Sequence, residues 1–153
     1  MSIIINFKDL WRFHPSNNDD DYPCYNEVTM IENFENQCAI RMGVALERSG
    51  FDFSSYHGVK CWFGCNEIHV LRVEELALFL EARLGKPKSF HHINCDDFCR
   101  ATDNASGIVV FLDFWGKGNQ GDHIDLFDGE HMTCGDPDYF ERSRKVLFWE
   151  LND

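Results

Sequence analysis

The sequence predicts an α+β fold in which N-terminal helices pack on an antiparallel sheet formed by the strands that follow them. The chain up to residue 85 carries two segments with helical periodicity, and the chain from residue 107 carries apolar and aromatic runs that are typical of strands. An Asp-Gly pair within one of these runs indicates a hairpin, and hence antiparallel pairing. The chain has 153 residues, 44% of them hydrophobic, and no internal repeat or linker, so it is expected to form one domain, residues 1–153.

The first predicted helix lies in FENQCAIRMGVALERSGF, residues 34–51. Asn36 is the expected N-cap, and Gly50 suits the C-terminal end of the helix. These boundaries place Cys38 in the first turn. The apolar positions that share one helical face are Cys38, Met42, Ala45 and Leu46.

The remaining elements follow in order along the chain. VEELALFLEARLG, residues 73–85, predicts a second helix, which a glycine and a proline end. The continuous apolar run GIVVFLDFWG, residues 107–116, predicts a buried strand. HIDLFDGEHMT, residues 123–133, predicts a hairpin around its Asp-Gly pair, and KVLFWEL, residues 145–151, predicts the last strand.

The chain is acidic, with 14 Lys and Arg residues against 26 Asp and Glu residues and a net charge of −12. This charge argues against nucleic-acid binding, which needs clustered basic residues. The opening residues, MSIIINFKDLW, lack the basic region and the apolar run of a signal peptide. No segment reaches the ~20 apolar residues that a membrane span needs. We therefore expect synthesis in the cytoplasm and no membrane insertion.

Cys38 is the candidate nucleophile. A helix N-terminus presents unpaired N–H groups and about half a positive charge, which stabilise a thiolate. The alternative is a buried cysteine that packs in the core, since Cys38 lies on the apolar face of its helix. A nucleophilic cysteine also needs a base, and the base needs a group that orients it.

His123, in the sequence GDHID, is the candidate base, because it opens a strand after a glycine-rich loop and can face a cleft from there. The orienting carboxylate is expected on the same face of the hairpin. A two-residue turn places Cys134 opposite His123 and makes Asp136 its diagonal neighbour, whereas a four-residue turn places Asp136 directly opposite. Asp136 is the first choice, Asp125 on the same strand is the alternative, and Asp138 is a weaker third choice.

A second constellation consists of cysteines in two pairs with three residues between the partners. The pairs are Cys61 with Cys65 and Cys95 with Cys99. Four thiolates can bind a structural zinc ion, and His69 and the pair His91-His92 add possible ligands. The three residues between the cysteines of each pair exceed the two that are usual in zinc ribbons. A zinc-binding interaction module that uses these four cysteines is the alternative function.

The chain order of cysteine at a helix start, histidine at a hairpin start and then a carboxylate resembles papain-like, NlpC-type cell-wall peptidases. Three segments narrow this resemblance to the fourth family of type VI secretion amidase effectors. They are NQCAIRMGVAL at 36–46, GDHIDLFDG at 121–129 and VLFWEL at 146–151. The likeness extends from Phe34 to Leu151.

The resemblance implies a compact NlpC-like domain and an antibacterial toxin that the type VI secretion apparatus delivers into the periplasm of a neighbouring bacterium, without a cleaved leader. Members of the family hydrolyse peptidoglycan between γ-D-glutamate and meso-diaminopimelate without a metal or organic cofactor. A cognate immunity protein blocks the site in kin cells. By position, the family's cysteine maps to Cys38 and its histidine to His123. At the spacing of the family's aspartate this chain has Cys134, and Asp136 lies just beyond it. The carboxylate that completes the cysteine-histidine-carboxylate group therefore departs from the family's pattern.

Overall fold

The computed structural model describes residues 5–34, 36–62, 67–113 and 121–152. The helices are α1 (Phe7–Phe13), α2 (Cys38–Arg48), α3 (Val73–Leu84), α4 (Cys95–Ala101) and α5 (Tyr139–Arg142), and a 3-10 helix spans Pro15–Asn18. The strands are β1 (Lys88–His91), β2 (Gly107–Leu112), β3 (His123–Phe127) and β4 (Lys145–Glu150). The fold is α+β, as the sequence predicts.

The sheet has the strand order β1-β4-β2-β3, and every neighbouring pair is antiparallel. The central strand β2 pairs with β4 on one side and with β3 on the other. Its register with β3 places Phe111 opposite His123 and Val109 opposite Asp125. His123 and Asp125 are two residues apart on one strand, so their side chains lie on the same face of the sheet.

Two apolar clusters cover the two faces of the sheet, because alternate residues of β2 point in opposite directions. Ile108 and Val110 belong to the cluster that includes residues of α1, α2 and α3. Val109 and Phe111 belong to the cluster that includes Phe98 of α4 and residues of α5. Strand β2 is therefore buried on both sides, and it gives the neighbouring β3 a rigid support.

The order of elements differs from the prediction in one respect. Helix α4 lies between β1 and β2, and α5 lies between β3 and β4, so the helices do not all precede the strands. Both are short, and each fully buries one large side chain, Phe98 in α4 and Phe140 in α5. A helix with one buried position has no apolar periodicity that the sequence could show.

Helix α3 matches its predicted span and ends before Gly85, whose φ of +92° suits glycine. The predicted strand at 107–116 is observed as β2 up to Leu112, and residues 114–116 lie outside the described residues. In the described part of the chain, no helix combines the length and the hydrophobicity that a membrane crossing requires.

Candidate active site

Cys38 is the first residue of the eleven-residue helix α2, and it is buried, with 3% exposure. The N–H of Cys38 donates a hydrogen bond to Oδ1 of Asn36 at 3.2 Å, while Gln37 occupies the N-cap position that the sequence assigned to Asn36. The Sγ atom of Cys38 lies 3.8 Å from the carbonyl oxygen of Asp122. The thiol therefore sits at the positive end of a helix and next to the start of β3.

His123 opens β3, and its Nε2 lies 2.8 Å from Oδ2 of Asp125. Burial acts to lower the pKa of His123, but hydrogen bonds to Asp125, Cys134 and Cys38 outweigh it and hold the pKa well above its ordinary value. The imidazolium form is thus favoured at neutral pH. A cysteine, a histidine and a carboxylate that are far apart in the sequence come together here as one hydrogen-bonded group.

Asp125 is fully buried, yet donors surround its carboxylate. The N–H of Leu126 at 2.9 Å and the N–H of Thr133 at 3.1 Å both donate to Oδ1, and the hydroxyl of Thr133 donates to the same oxygen. Besides His123, the N–H of Cys134 donates to Oδ2 at 3.4 Å. Burial acts to raise the pKa of Asp125, but the hydrogen bond from His123 and the charge of that residue keep it below the ordinary value. The carboxylate is therefore ionised and held in one orientation.

The hairpin turn has the four-residue form, residues 128–131, because Phe127 pairs with Met132. The next backbone bond runs from the N–H of Thr133 to the carbonyl oxygen of Leu126. Among the described residues the pairing with β3 ends at that bond. The register that would place Asp136 opposite His123 therefore does not continue.

The structure corrects the first choice of orienting carboxylate. Asp136 is exposed, and its Oδ1 accepts a hydrogen bond from the N–H of Asp138 at 3.1 Å. Asp138 is exposed as well and lies 3.7 Å from a guanidinium nitrogen of Arg142. Neither carboxylate reaches His123, whose carboxylate partner is Asp125, the alternative that the sequence offered. Asp125 reaches His123 because the two residues lie on the same strand and on the same face of the sheet. Their relative position therefore does not depend on the register of the hairpin.

Gly135 is a site residue that sequence reasoning missed. A Cβ atom at this position would lie 2.8 Å from Oδ2 of Asp125, 3.1 Å from Nε2 of His123 and 3.2 Å from Cε2 of Tyr139. A side chain here would collide with the hydrogen bond that orients the histidine. The one signal in the sequence is that a glycine follows the hairpin at the point where the chain turns away.

We expect Gly135→Ala to reduce the catalytic rate by about 100-fold, since displacing a catalytic group by about 1 Å has that order of effect. The measurement is steady-state amide hydrolysis, with thermal unfolding as a check on folding. Gly50→Ala is a matched control, because Gly50 has a φ of +94° and open space around it, so the substitution strains the backbone without touching the site. Full activity of a folded Gly135→Ala protein would contradict the positioning role.

His14 is buried behind Asp125. Its Nδ1 accepts a hydrogen bond from the N–H of Ser16 at 3.2 Å, and its Nε2 lies 3.4 Å from Oγ1 of Thr133. Burial is the main cause that lowers the pKa of His14 to about 4. The charged or titratable groups that also act on it are Asp125 and Asp21, which raise the pKa, and Arg41 and His123, which lower it.

This burial predicts a stability loss in acid. The unfolded chain binds a proton at His14 near pH 6.5 and the folded chain only near pH 4, so the unfolded state holds more protons between these values. Stability should therefore decrease as the pH falls through this window, with His14 contributing about 2–3 kcal/mol between pH 7 and pH 4.5. Urea unfolding of wild type, His14→Gln and the exposed control His131→Gln at both pH values measures it. Equal acid losses in all three proteins would refute the contribution.

Cys38 opens onto a pocket of about 390 Å³ between the starts of α2 and α3. Glu74 and Asp122 line this pocket. A hydrogen bond to Asp122, together with the charge of that residue, raises the pKa of Glu74. The pocket therefore offers space for a peptide segment beside the thiol and an acidic wall that suits a positively charged group.

In the part of the chain that the structure describes, Cys61 lies in a different cluster from Cys95 and Cys99. Cys61 packs with Cys24 and residues of α2, whereas Cys95 and Cys99 pack in the cluster around Phe98. Burial, and then the neighbouring Cys99, raise the pKa of Cys95 to about 11. The remaining member of the set, Cys65, lies outside the described residues.

Comparison with known sequences points to one family. The sequence model of the family described as "Type VI secretion system (T6SS), amidase effector protein 4", abbreviated Tae4, matches residues 34–149. Cys38 and His123 both lie within the matched range. No curated protein matches the chain.

Solved structures share the fold. A chain of the type VI effector-immunity complex Tae4-Tai4 from Salmonella Typhimurium is 21% identical, with a TM-score of 0.76 over 97% of this chain and 99% of that chain. The type VI effector Tae4 from Enterobacter cloacae is 21% identical, with a TM-score of 0.71 over 99% of this chain and 100% of that chain. A chain of the Tae4-Tai4 complex from Enterobacter cloacae is 19% identical, with a TM-score of 0.69 over 98% and 100%. At these identities the likeness establishes a common fold.

Proposed function

Because this chain belongs to the amidase effector 4 family of the type VI secretion system, we propose that it hydrolyses stem-peptide amide bonds of peptidoglycan. Membership of the family supplies the reaction class, an amidase, and the secretion route. One observation carries the proposal: the thiol of Cys38 at the start of α2 lies beside His123, which the buried Asp125 holds. That arrangement is a cysteine nucleophile with its base and its orienting group.

In the first half of the reaction, the thiolate of Cys38 attacks the carbonyl carbon of the scissile amide. Backbone N–H groups at the start of α2 stabilise the negative charge that develops on the carbonyl oxygen. His123, as the imidazolium, donates its proton to the amide nitrogen. The C–N bond then breaks, the amine leaves, and a thioester joins the substrate to Cys38.

In the second half, water attacks the thioester carbonyl carbon, and neutral His123 takes the proton from that water. The C–S bond breaks, which releases the carboxylic acid and restores the thiolate. Asp125 accepts a hydrogen bond from Nε2 of His123 at 2.8 Å in both halves, which leaves the other ring nitrogen for proton transfer. These steps need no metal or organic cofactor.

The bond that we propose for cleavage joins γ-D-glutamate to meso-diaminopimelate. The family resemblance supports this choice, and so does the acidic wall of the pocket beside Cys38. Diaminopimelate carries an additional amino group, which is positively charged at neutral pH, and the carboxylates of Glu74 and Asp122 complement that charge. The acidic wall therefore suits the amine side of the scissile bond.

We propose that the enzyme acts in the periplasm of a target bacterium and that a cognate immunity protein blocks it in the producing cell. Two observations support this part. The family is defined as effectors of type VI secretion, and solved structures with this fold include effector-immunity complexes of Tae4 with Tai4. An immunity protein that covers the pocket at Cys38 would exclude the substrate.

The test is digestion of purified Gram-negative sacculi, with products separated by chromatography and identified by mass spectrometry. We expect stem fragments that end in a γ-D-glutamate carboxyl group and that are absent when Cys38→Ala replaces wild type. Intact sacculi after incubation with folded wild-type protein would overturn the proposed activity. Release of a different stem fragment would overturn the bond assignment and leave the amidase assignment in place.

A further inference from the structure

A group of metal-binding side chains lies outside the active site. Cys24, Cys61 and His69 each place one ligand atom within 4.8 Å of the other two. The Sγ atoms of Cys24 and Cys61 are 3.4 Å apart. Cys24 is fully buried, His69 is 4% exposed, and Cys61 is half-buried. The mechanism uses none of the three.

Local backbone pairing brings Cys61 and His69 together. Lys60 pairs with Val70 in an antiparallel bridge, and the N–H of Cys61 donates to the carbonyl oxygen of His69 at 2.8 Å. Residues directly opposite each other in antiparallel pairing project to the same side. The thiol and the imidazole therefore meet on one face of this short pairing.

Cys24 comes from a distant loop that Gln37 holds in place. Oε1 of Gln37 accepts a hydrogen bond from the N–H of Cys24 at 2.9 Å, and Nε2 of Gln37 donates to the carbonyl oxygen of Cys24 at 2.8 Å. The side chain of Cys24 packs against Ile40 and Val44 of α2. Nδ2 of Asn33 donates to Sγ of Cys24 at 3.4 Å, which favours negative charge on this sulfur.

A second, independent observation points to a ligand. The Nδ1 atom of His69 is buried and has no hydrogen-bond partner among the described residues. Buried polar atoms without a partner are rare in folded proteins, and a bound ion is one recognised reason for them. The side chain is more than nine-tenths buried and lies against two sulfur atoms, which are ligands that a soft metal ion prefers.

We propose that Cys24, Cys61 and His69 bind a zinc ion in a structural site. Zinc binds thiolate sulfur at about 2.3 Å and imidazole nitrogen at about 2.0 Å in tetrahedral geometry, which places two thiolates on one ion roughly 3.8 Å apart. The observed separation of 3.4 Å is close to that value and is too long for a covalent S–S bond of about 2.05 Å. Three protein ligands leave one tetrahedral position for water or a further ligand.

The site would secure the active site from a distance. Cys24 is hydrogen-bonded to Gln37, the residue directly before Cys38. Cys61 and His69 belong to the segment that leads to α3. A metal ion that joins these segments would hold the starts of α2 and α3, which form the pocket beside the nucleophile. Its role is therefore structural, and it takes no part in the reaction steps.

The first test measures the zinc content of the purified protein. The protein is passed through gel filtration in the presence of a reductant, and its zinc is quantified by inductively coupled plasma mass spectrometry. We expect about one zinc ion per chain in wild type and in the control Cys95→Ser, and loss of that zinc in Cys24→Ser and His69→Gln. Zinc-free wild type, or full zinc retention by folded Cys24→Ser and His69→Gln, would overturn the proposal.

A second measurement does not depend on whether the variants fold. Cobalt(II) added to metal-free wild type should produce thiolate-to-cobalt charge-transfer absorption and the visible bands of tetrahedral coordination, and zinc should displace both. Zinc should also raise the melting temperature of the metal-free protein, since an ion that binds the folded state stabilises it. Absence of the charge-transfer absorption would overturn the proposal even if the variants aggregate.

Discussion

Cys38→Ala should reduce amide hydrolysis by at least about 10⁴-fold, because removing the nucleophile removes the covalent route and leaves only binding and oxyanion stabilisation. The protein should stay folded, since Cys38 contributes a small side chain at the edge of the core cluster and its backbone N–H keeps its bond to Asn36. Hydrolysis of sacculi or of a synthetic stem peptide measures the rate, and circular dichroism checks the fold.

A matched control exists because a second thiol lies beside the histidine. Cys134 donates to Oδ2 of Asp125 at 3.6 Å and accepts from Nη1 of Arg41 at 3.6 Å. It lacks the helix N-terminus that Cys38 has. We expect Cys134→Ala to retain activity within about tenfold, the cost of one hydrogen bond to a charged group. The reverse outcome, an active Cys38→Ala and an inactive Cys134→Ala, would move the nucleophile to Cys134.

The second large effect is expected for Asp125→Asn, which should lower the rate by about 10²–10⁴-fold. Both carboxylate oxygens of Asp125 accept hydrogen bonds from N–H groups, so an amide would place its own NH₂ against one set of donors. The matched control is Asp136→Asn at an exposed position, which should leave the rate within about twofold of wild type. Equal effects of the two substitutions would contradict the assignment of Asp125.

The pH dependence of the rate distinguishes a role of Asp125 in orienting His123 from a role in stabilising the fold. The hydrogen bond and the charge of Asp125 both raise the pKa of His123, so the pKa should decrease when the carboxylate becomes an amide. The reaction needs the imidazolium form of His123 to protonate the leaving amine. The alkaline limb of the pH–rate profile should therefore move to lower pH in Asp125→Asn. The limb should not move in Asp136→Asn. An unshifted limb in a folded Asp125→Asn protein would show that Asp125 acts only in folding.

Cys38 and His123, which the structure brings together, are the two candidate site residues that depend on local signals. Cys38 follows from helical periodicity and a cap signal, and His123 follows from its place at the start of an apolar strand. The orienting carboxylate is harder to predict from the sequence, because its identity depends on where hairpin pairing stops. Among the described residues, hairpin pairing stops after Thr133, and Gly135 then lies close to the His123–Asp125 pair. No local sequence pattern encodes that contact.

The contrast between local sequence signals and tertiary contacts also applies to the cysteines. Regular spacing drew attention to Cys95 and Cys99, which are neighbours on a short helix in an apolar cluster. The three side chains that do converge are Cys24, Cys61 and His69, and Cys24 is 37 residues from Cys61. Tertiary packing through Gln37 brings them together, and a spacing rule cannot show it.

The side-chain amide of Gln37 forms hydrogen bonds with the N–H and the carbonyl oxygen of residue 24, and any amino acid except proline at that position would supply both groups. Glutamate has the same length but cannot donate to the carbonyl oxygen, and asparagine is one methylene shorter. In the Gln-Cys pair at 37–38, the glutamine anchors the loop that carries Cys24, and the cysteine is the nucleophile that we propose. A relative that lost its nucleophile could keep the glutamine, and such a protein would retain the architecture of an amidase without its activity.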